Sequence, residues 1–183
     1  MSELSAQSFP NPDSDGSASW LSPEELEFVR NKIPILYVDI VPIKLDAQGC
    51  LKAVGLLLCT DGDVLQRSIV SGRVLLHESI HEALIRHIQK DLGPIALPQL
   101  PVSNLPFTVG EYFSTPGDHL YDSRQHAVSL GYIVPMAGDC EPSSNAIEFS
   151  WFTPGEIATP SLQAEICKSQ LEILRRALAY LGK

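Results

Sequence analysis

Hydrophobic and polar positions in the first part of the chain predict one helix and three strands. The S-P-E-E run at residues 22–25 is typical of a helix start, because serine caps the first turn, proline suits it and the second glutamate completes a capping box. Apolar runs predict strands over residues 35–44, 50–60 and 64–70, and the second run is apolar enough for burial on both faces. Pro42 lacks a backbone N–H, so an edge position or a bulge is expected there.

Residues 72–93 predict a short loop that leads into one amphipathic helix. Apolar side chains recur there with helical spacing at Ile80, Ala83, Leu84, Ile88 and Leu92. At about 100° per residue, the line of Ala83, His87 and Asp91 falls on the inward half of this helix. A histidine and a carboxylate on an inward stripe are not a solvated charged face, and a helix C-terminus disfavours an anion. This stripe therefore favours a functional explanation.

The remaining pattern predicts further strands and a final helix. Asp61-Gly62-Asp63 predicts a hairpin turn. Residues 94–106 hold four prolines, which exclude regular structure and predict a long, lid-like connection. Strands are predicted over residues 107–114, 126–135 and 147–152, and one long helix over residues 161–181.

Composition narrows the class of protein. The 183 residues suggest a single domain over residues 20–183, preceded by a polar tail over residues 1–19 that is expected to be disordered. The net charge of −9 argues against a nucleic-acid partner but leaves a small phosphorylated ligand open. Four cysteines without C-x-x-C spacing suggest reduced thiols in a cytoplasmic protein. Neither a membrane span nor a secretory signal is expected, because the apolar runs are short and the N-terminus is polar.

The spacing of several residues within 72–93 resembles the Nudix box, G-x5-E-x7-R-E-U-x-E-E-x-G-U, where U is aliphatic. The matching positions are Gly72, Glu78, Arg86, Ile88 and Gly93. The chain departs from the pattern where the family has its helix glutamates, since His87, Lys90 and Asp91 stand there. Pro94 replaces the last aliphatic residue, and His77 stands where a glycine usually precedes the first glutamate.

The resemblance extends over residues 34–181, because the strand–loop–helix order and the Trp151-Phe152 strand also resemble Nudix domains. It implies an α/β (α+β) fold, a Nudix-like α/β/α sandwich with a mixed sheet. The implied function is hydrolysis of a phosphoanhydride in a nucleoside diphosphate-linked substrate with a divalent metal, Mg or Mn. A small nucleotide-type ligand is the implied partner, and a homodimer is open because dimers are common in the family.

Roles for individual residues follow from the same resemblance and from residue chemistry. Glu78, Arg86, Asp91 and the loop acid Glu141 are the expected catalytic set, with Arg86 mainly bracing the loop. Glu78, His87 and Asp91 are the expected metal ligands. Lys90, Arg124 and His126 are the expected substrate-binding residues, because cations and histidine suit phosphate.

Several alternatives stay open at this stage. An ammonium group beside a divalent ion is unfavourable, so Lys90 could contact phosphate directly in place of one cation. His87 and Lys90 could also mark a lost metal site, which favours a catalytically inactive Nudix-like module that binds a nucleotide or nucleotide-sugar. Glu141 could be an ordinary solvated acid, and Arg124 could simply pair with Asp122 in a turn. A non-Nudix α/β domain with chance spacing ranks last.

Overall fold

The structure, a computed structural model, describes residues 21–61, 64–117, 119–142 and 146–183. The tail expected over residues 1–19 lies outside the described residues, as do parts of the turn predicted at residues 61–63. Within the described part, no helix is long and apolar enough to cross a membrane. The four cysteines form no disulfide bonds.

The strands pair into a single mixed sheet with helices on both faces. In chain order the strands are β1 (Ile35–Leu45), β2 (Leu51–Asp61), β3 (Val64–Ser68), β4 (Val70–Arg73), β5 (Thr108–Phe113), β6 (Leu120–Tyr121), β7 (Ala127–Pro135) and β8 (Glu148–Phe152). The helices are α1 (Pro23–Arg30), α2 (Ile80–Leu92), α3 (Pro154–Ile157), α4 (Pro160–Glu165) and α5 (Lys168–Tyr180). The sheet runs in the order β3-β2-β1-β7-β5-β6, with β4 added to β1 and β8 added to β2.

Two apolar clusters, one on each face of the sheet, form the core. Val38 and Ile40 of β1 belong to the cluster beneath α2. Val41 and Ile43 belong to the other cluster, which α3, α4 and α5 cover. The predicted α/β/α sandwich with a mixed sheet is therefore confirmed, and strand alternation puts Asp39 on the α5 side.

Pro42 does not occupy an edge, so that expectation is wrong. It is buried in β1, which pairs in parallel with β7 from Ile35 to Ile43. On the opposite side, β4 pairs with β1 only as far as Ile40, and β2 pairs with β1 only from Ile43 onward. Pro42 lies in the gap between these two partners, where a missing backbone N–H breaks no ladder. The irregularity in register lies further along, between Lys44 and Leu45.

The strand predicted over residues 64–70 is two strands. β3 pairs with β2, whereas β4 pairs with β1, so the chain changes partner at Ile69. The backbone N–H of Ile69 donates instead to Oε1 of Gln170 at 3.0 Å. This change of partner carries the chain from the sheet edge to its centre, directly before the loop that leads into α2.

The single helix predicted over residues 161–181 is also divided. Ile166 is extended and forms a parallel bridge with Arg67, and the N–H of Cys167 donates to the Arg67 carbonyl at 3.1 Å. The apolar spacing continues across this break, which is why the sequence pattern did not mark it. At the other end of the domain, the Ser22 capping box of α1 is confirmed, although Leu26 and Val29 are only half-buried.

Candidate functional site

The loop between β4 and α2 is held by an ion pair between Glu78 and Arg86, which we call the clamp. Arg86 donates from Nε to Glu78 Oε1 at 2.5 Å and from Nη2 to Oε2 at 2.8 Å. Arg86 Nη2 also donates to the Arg73 carbonyl at 2.8 Å, and the Leu75 N–H donates to Glu78 at 2.8 Å. Burial raises the pKa of Glu78, but the bonds from Arg86 and Leu75 outweigh burial and leave the pKa below its usual value. Arg86 thus bonds both the loop backbone and the loop carboxylate, which is the arrangement expected of a residue that braces the loop.

Helix α2 begins at a second capping box, formed by Ser79 and Glu82. The Ser79 hydroxyl accepts from the Glu82 N–H at 3.2 Å, and Glu82 accepts from the Ser79 N–H at 2.8 Å. This cap starts the helix directly after Glu78 and so determines which face of the helix packs against the sheet. Ala83 and His87 are buried there, and the Asp91 side chain is only 12% exposed, as the inward stripe predicts.

His87 occupies the space beside Gly72. A Cβ atom at Gly72 would overlap the imidazole ring, so the close approach of β4 and α2 requires glycine. His87 Nε2 lies 2.9 Å from the Arg73 carbonyl, an acceptor, so Nε2 carries the proton. Burial is the main cause that lowers the pKa of His87, to about 4. The ring is therefore neutral at pH 7, and its buried Nδ1 has no hydrogen-bond partner among the described residues.

A cavity of about 480 Å³ opens over this helix face, and we call it the box cavity. Its charged lining residues are Arg73, Arg86, Lys90, Arg124 and Asp91, so cations outnumber acids. Lys90 is 44% exposed at the rim, and its Nζ lies 3.8 Å from Asp91 Oδ1. Burial raises the pKa of the Asp91 carboxyl, and Lys90 and then Arg86 oppose that rise.

The structure does not bring the predicted metal ligands together. Both oxygens of Glu78 accept hydrogen bonds within the clamp, and His87 offers only the Nδ1 lone pair. Within the described ranges, no group of three or more His, Cys, Asp and Glu side chains could hold a metal ion. Mg²⁺ requires near-ideal octahedral oxygen coordination. A set of one nitrogen and one carboxylate beside an ammonium group does not fit such an ion.

The other predicted residues have different positions. Arg124 lines the box cavity. Its Nε and Nη2 donate to Oδ1 and Oδ2 of Asp122, each at 2.9 Å. The predicted turn ion pair is therefore present, and it lies at the cavity. His126 stacks on Phe113 with ring centroids 4.5 Å apart, and it does not line the box cavity. Glu141 is exposed in the loop between β7 and β8 and likewise does not line the box cavity.

A second cavity of about 870 Å³ adjoins the first, and we call it the polar cavity. Both cavities share the lining residues Tyr37, Ser71, Arg124 and Gln170, so together they form one cleft. This cleft crosses from the face of α2 toward the α5 side of the sheet.

Buried polar residues line the polar cavity. Asp39 is 2% exposed and accepts hydrogen bonds from Ser71 Oγ at 2.6 Å and from the Tyr112 hydroxyl at 2.8 Å. Burial raises the pKa of Asp39, and the neighbouring Ser71, Ser129 and Tyr112 hydroxyls oppose that rise. The buried Ser129 hydroxyl lies beside the Asp39 carboxyl.

Sequence reasoning missed this polar set. The available signal was Asp39 itself, the single acid within the apolar run I-L-Y-V-D-I-V-P. Gln125 carried no such signal, yet it is 3% exposed and links elements that are distant in sequence. It accepts from Arg30 Nε at 2.9 Å and donates to the Tyr37 hydroxyl at 2.9 Å. These bonds attach the loop that carries Arg124 to α1 and β1.

Comparisons with known proteins agree with the fold. The sequence profile of one family, Domain of unknown function (DUF4916), matches residues 16–183. A solved structure from Jonesia denitrificans DSM 20603, described as a possible asymmetric diadenosine tetraphosphate (Ap(4)A) hydrolase, is 50% identical, with a TM-score of 0.80 over 82% of this chain and 96% of that chain. No curated protein is similar to this sequence at a significant level.

More distant structures share the fold alone. A Nudix hydrolase from Nitrosomonas europaea is 14% identical, with a TM-score of 0.57 over 81% of this chain and 90% of that chain. A bifunctional NMN adenylyltransferase/ADP ribose pyrophosphatase from Francisella tularensis, complexed with AMP and a Mn ion, is 14% identical, with a TM-score of 0.59 over 82% of this chain and 43% of that chain. The chain therefore belongs to the DUF4916 family, and it has the fold of Nudix hydrolase domains.

Proposed function

We propose that this protein hydrolyses a phosphoanhydride bond in a nucleoside diphosphate-linked substrate. The observation that carries the proposal is the continuous cleft, in which a cation-lined chamber over α2 joins a larger polar chamber. Such a cleft suits a two-part ligand, with its phosphates over α2 and its nucleoside among the tyrosines and Asp39 of the polar cavity. Both volumes lie within the usual range of about 300–1,000 Å³ for small-molecule sites.

Asp91 is the group best suited to assist the reaction. A water oxygen would attack the phosphorus, the bond to the bridging oxygen would break, and the leaving phosphate would depart with the electron pair. The carboxylate of Asp91 would accept the water proton, and its raised pKa makes it a stronger base than an exposed aspartate. Glu78 and Arg86 would act by holding the loop and helix in position, because their polar atoms already bond each other.

The relatives guide the choice of substrates and metals. The 50% identical protein is described as a possible Ap4A hydrolase, which favours dinucleoside polyphosphates as the first class to test. The Francisella tularensis protein was complexed with AMP and a Mn ion, so Mg²⁺ and Mn²⁺ belong in the same trial. Because Glu78, His87 and Asp91 do not fit a divalent ion here, our mechanism contains no step that passes through a metal.

A second candidate function is supported by a specific observation. Lys90 and neutral His87 stand where the box has glutamates, and only Asp91 retains a carboxylate at the cavity. A cleft with this chemistry could retain a nucleotide or nucleotide-sugar without cleaving it. The domain would then act as a binding or regulatory module, stabilised by its ligand and releasing no product.

Product formation separates the two candidates. Ap4A, ADP-ribose, nucleotide sugars and nucleoside triphosphates would each be incubated with the protein in Mg²⁺, in Mn²⁺ and in chelator. For the substrate that is cleaved, we expect Asp91→Asn to lower kcat by about 100-fold or more, the scale of a lost general base. Asp139→Asn, an exposed acid outside both cavities, is the matched control and should retain the parent rate.

Two results would count against the hydrolase proposal. An Asp91→Asn variant as active as the parent would remove Asp91 from the mechanism. Ligand-induced stabilisation without product, across the panel and in all three metal conditions, would instead support the binding module.

A further inference from the structure

We propose that side-chain cations replace the divalent metal in the box cavity, so that it binds a diphosphate group directly in the absence of metal. This inference rests on the ligand class of the proposed function, a phosphoanhydride, but it does not depend on hydrolysis. Its basis is the charge and the arrangement of the groups around the cavity.

The three altered box positions lack the negative charge that a glutamate-lined box would carry. Three glutamates would carry three negative charges, and such a site admits a phosphate only when cations neutralise it. Here neutral His87, cationic Lys90 and anionic Asp91 carry no net charge together. These three positions therefore do not repel a diphosphate through several carboxylates. No metal is needed there to neutralise them.

Cations reach the box cavity from three separate elements. Lys90 comes from α2, Arg73 from the end of β4, and Arg124 from the loop before β7. An anion in the cavity would therefore have cations on more than one element, of which Arg124 also bonds Asp122. The arrangement also stands out against the net charge of −9 for the whole chain, because a local concentration of cations opposes the global field.

Arg73 gives further support. Its guanidinium is close enough to Arg30 and Arg86 to be influenced by both charges, although Arg86 is already paired with Glu78. Burial first, and then these like charges, lower the pKa of Arg73, while Tyr37 opposes them. Crowded cations are stabilised by an anion between them, and guanidinium groups can contact phosphate through two parallel hydrogen bonds.

Lys90 is positioned to respond to a ligand. Its side chain is 44% exposed, and its contact with Asp91 is long at 3.8 Å, so rotation toward a phosphate breaks no short hydrogen bond between the two residues. The ammonium group would then do directly what a divalent ion does for a glutamate-lined box.

Binding in chelator is the first test. Inorganic pyrophosphate, ADP and adenosine would be titrated by calorimetry in EDTA and, separately, in Mg²⁺. We expect pyrophosphate and ADP to bind in EDTA with affinities within about threefold of those in Mg²⁺, because side chains supply the charge. Adenosine binding alone would show that the nucleoside, not the phosphate, directs recognition, and would overturn the inference.

Charge reversal at the rim gives the matched variants. Lys90→Glu should weaken ADP binding in EDTA by about 30-fold, and Lys90→Gln by about 10-fold, the scale of a lost charge-assisted hydrogen bond. Lys52→Glu reverses an exposed lysine on β2 outside both cavities and should leave the affinity unchanged. An equal loss in Lys52→Glu would mean that only the global charge matters, which would also overturn the inference.

A restored box tests the idea in the opposite direction. The triple substitution His87→Glu, Lys90→Glu and Asp91→Glu re-creates the family pattern at all three altered positions. We expect this variant to bind Mn²⁺, measured by electron paramagnetic resonance, at least about 10-fold more tightly than the parent, and to require Mn²⁺ for ADP binding. If the triple variant does not fold, Lys90→Glu alone, at an exposed position, serves the same comparison.

The failures of the two proposals are distinguishable. ADP bound in EDTA without any product from the substrate panel would remove the hydrolase proposal and leave the present inference standing. Product formed only with Mg²⁺ or Mn²⁺, together with loss of ADP binding in EDTA, would do the reverse. Tight Mn²⁺ binding by the parent protein would likewise contradict direct binding by side chains.

Discussion

The clamp residues and Lys90, one of the three altered box positions, lie within the same segment, yet they are tied into the fold to different degrees. Glu78 and Arg86 are 11% and 25% exposed, and they bond each other and the loop backbone. Lys90 is 44% exposed, and its contact with Asp91 is 3.8 Å long. The clamp therefore stabilises the loop, whereas a substitution at Lys90 would change the charge of the cavity rim.

This difference shows that a motif can preserve a fold after its chemistry has changed. The turn before α2 is fixed by Glu78 and Arg86, and the close approach of α2 to β4 requires Gly72. The box spacing places these three residues where the fold needs them. That geometry involves the buried His87 ring, but it does not depend on the charges at positions 90 and 91. Spacing of this kind is stronger support for architecture than for metal binding.

The largest expected effect comes from breaking the clamp. Glu78→Gln removes the carboxylate and leaves the largely buried Arg86 guanidinium without its charged partner, which should lower the free energy of unfolding by about 3 kcal/mol. Urea denaturation followed by circular dichroism measures this change. Glu111→Gln, an exposed acid on β5, is the matched control and should change stability by less than about 0.5 kcal/mol. A loss below 1 kcal/mol in Glu78→Gln would contradict a structural clamp.

Stability should depend on pH through His87. The pKa of His87 falls from 6.5 to about 4 on folding, so the unfolded chain binds more protons between these values. The contribution is fully present above pH 6.5 and is lost as the pH falls toward 4, by about 3 kcal/mol in total. Urea midpoints at several pH values test this, with His87→Gln as the comparison that should flatten the slope. An identical slope in both proteins would contradict the buried, neutral ring.

Gly72→Ala should be the next most disruptive change. The added Cβ overlaps the His87 ring, which must move, at a cost of about 2 kcal/mol in the free energy of unfolding. The same substitution in a His87→Ala background should cost less, because the overlapping ring is gone. Urea unfolding of the single and double variants gives this coupling energy. Additive losses would mean that glycine is needed there for some other reason than space.

The smallest expected effect on stability belongs to Lys90. Lys90→Gln should change the free energy of unfolding by no more than about 0.5 kcal/mol, because the side chain is exposed and its contact with Asp91 is long. Thermal or urea unfolding of the variant without ligand measures this. A large loss in the free energy of unfolding would mean that Lys90, like the clamp, is a structural residue. It would contradict the difference between the two regions.

Local sequence patterns determined much of this protein. The capping box at Ser22 and the apolar stripe of α2 depend on neighbours a few residues apart. The helices α1 and α2 could therefore be located from spacing. Alternation and apolar runs located the long strands β1, β2 and β7 for the same reason. The box spacing and element order were enough to predict the Nudix fold, a sandwich with a mixed sheet.

Only the tertiary structure decided the features that depend on which segments become neighbours. Pro42 is tolerated because β1 changes partner beside it, and the final helix is divided because Ile166 pairs with Arg67. The cavity is cationic because β4, α2 and the loop before β7 bring Arg73, Lys90 and Arg124 together. Periodicity reports which side of an element is buried, whereas a binding site is made by contacts between elements distant in sequence, and no local pattern records those contacts.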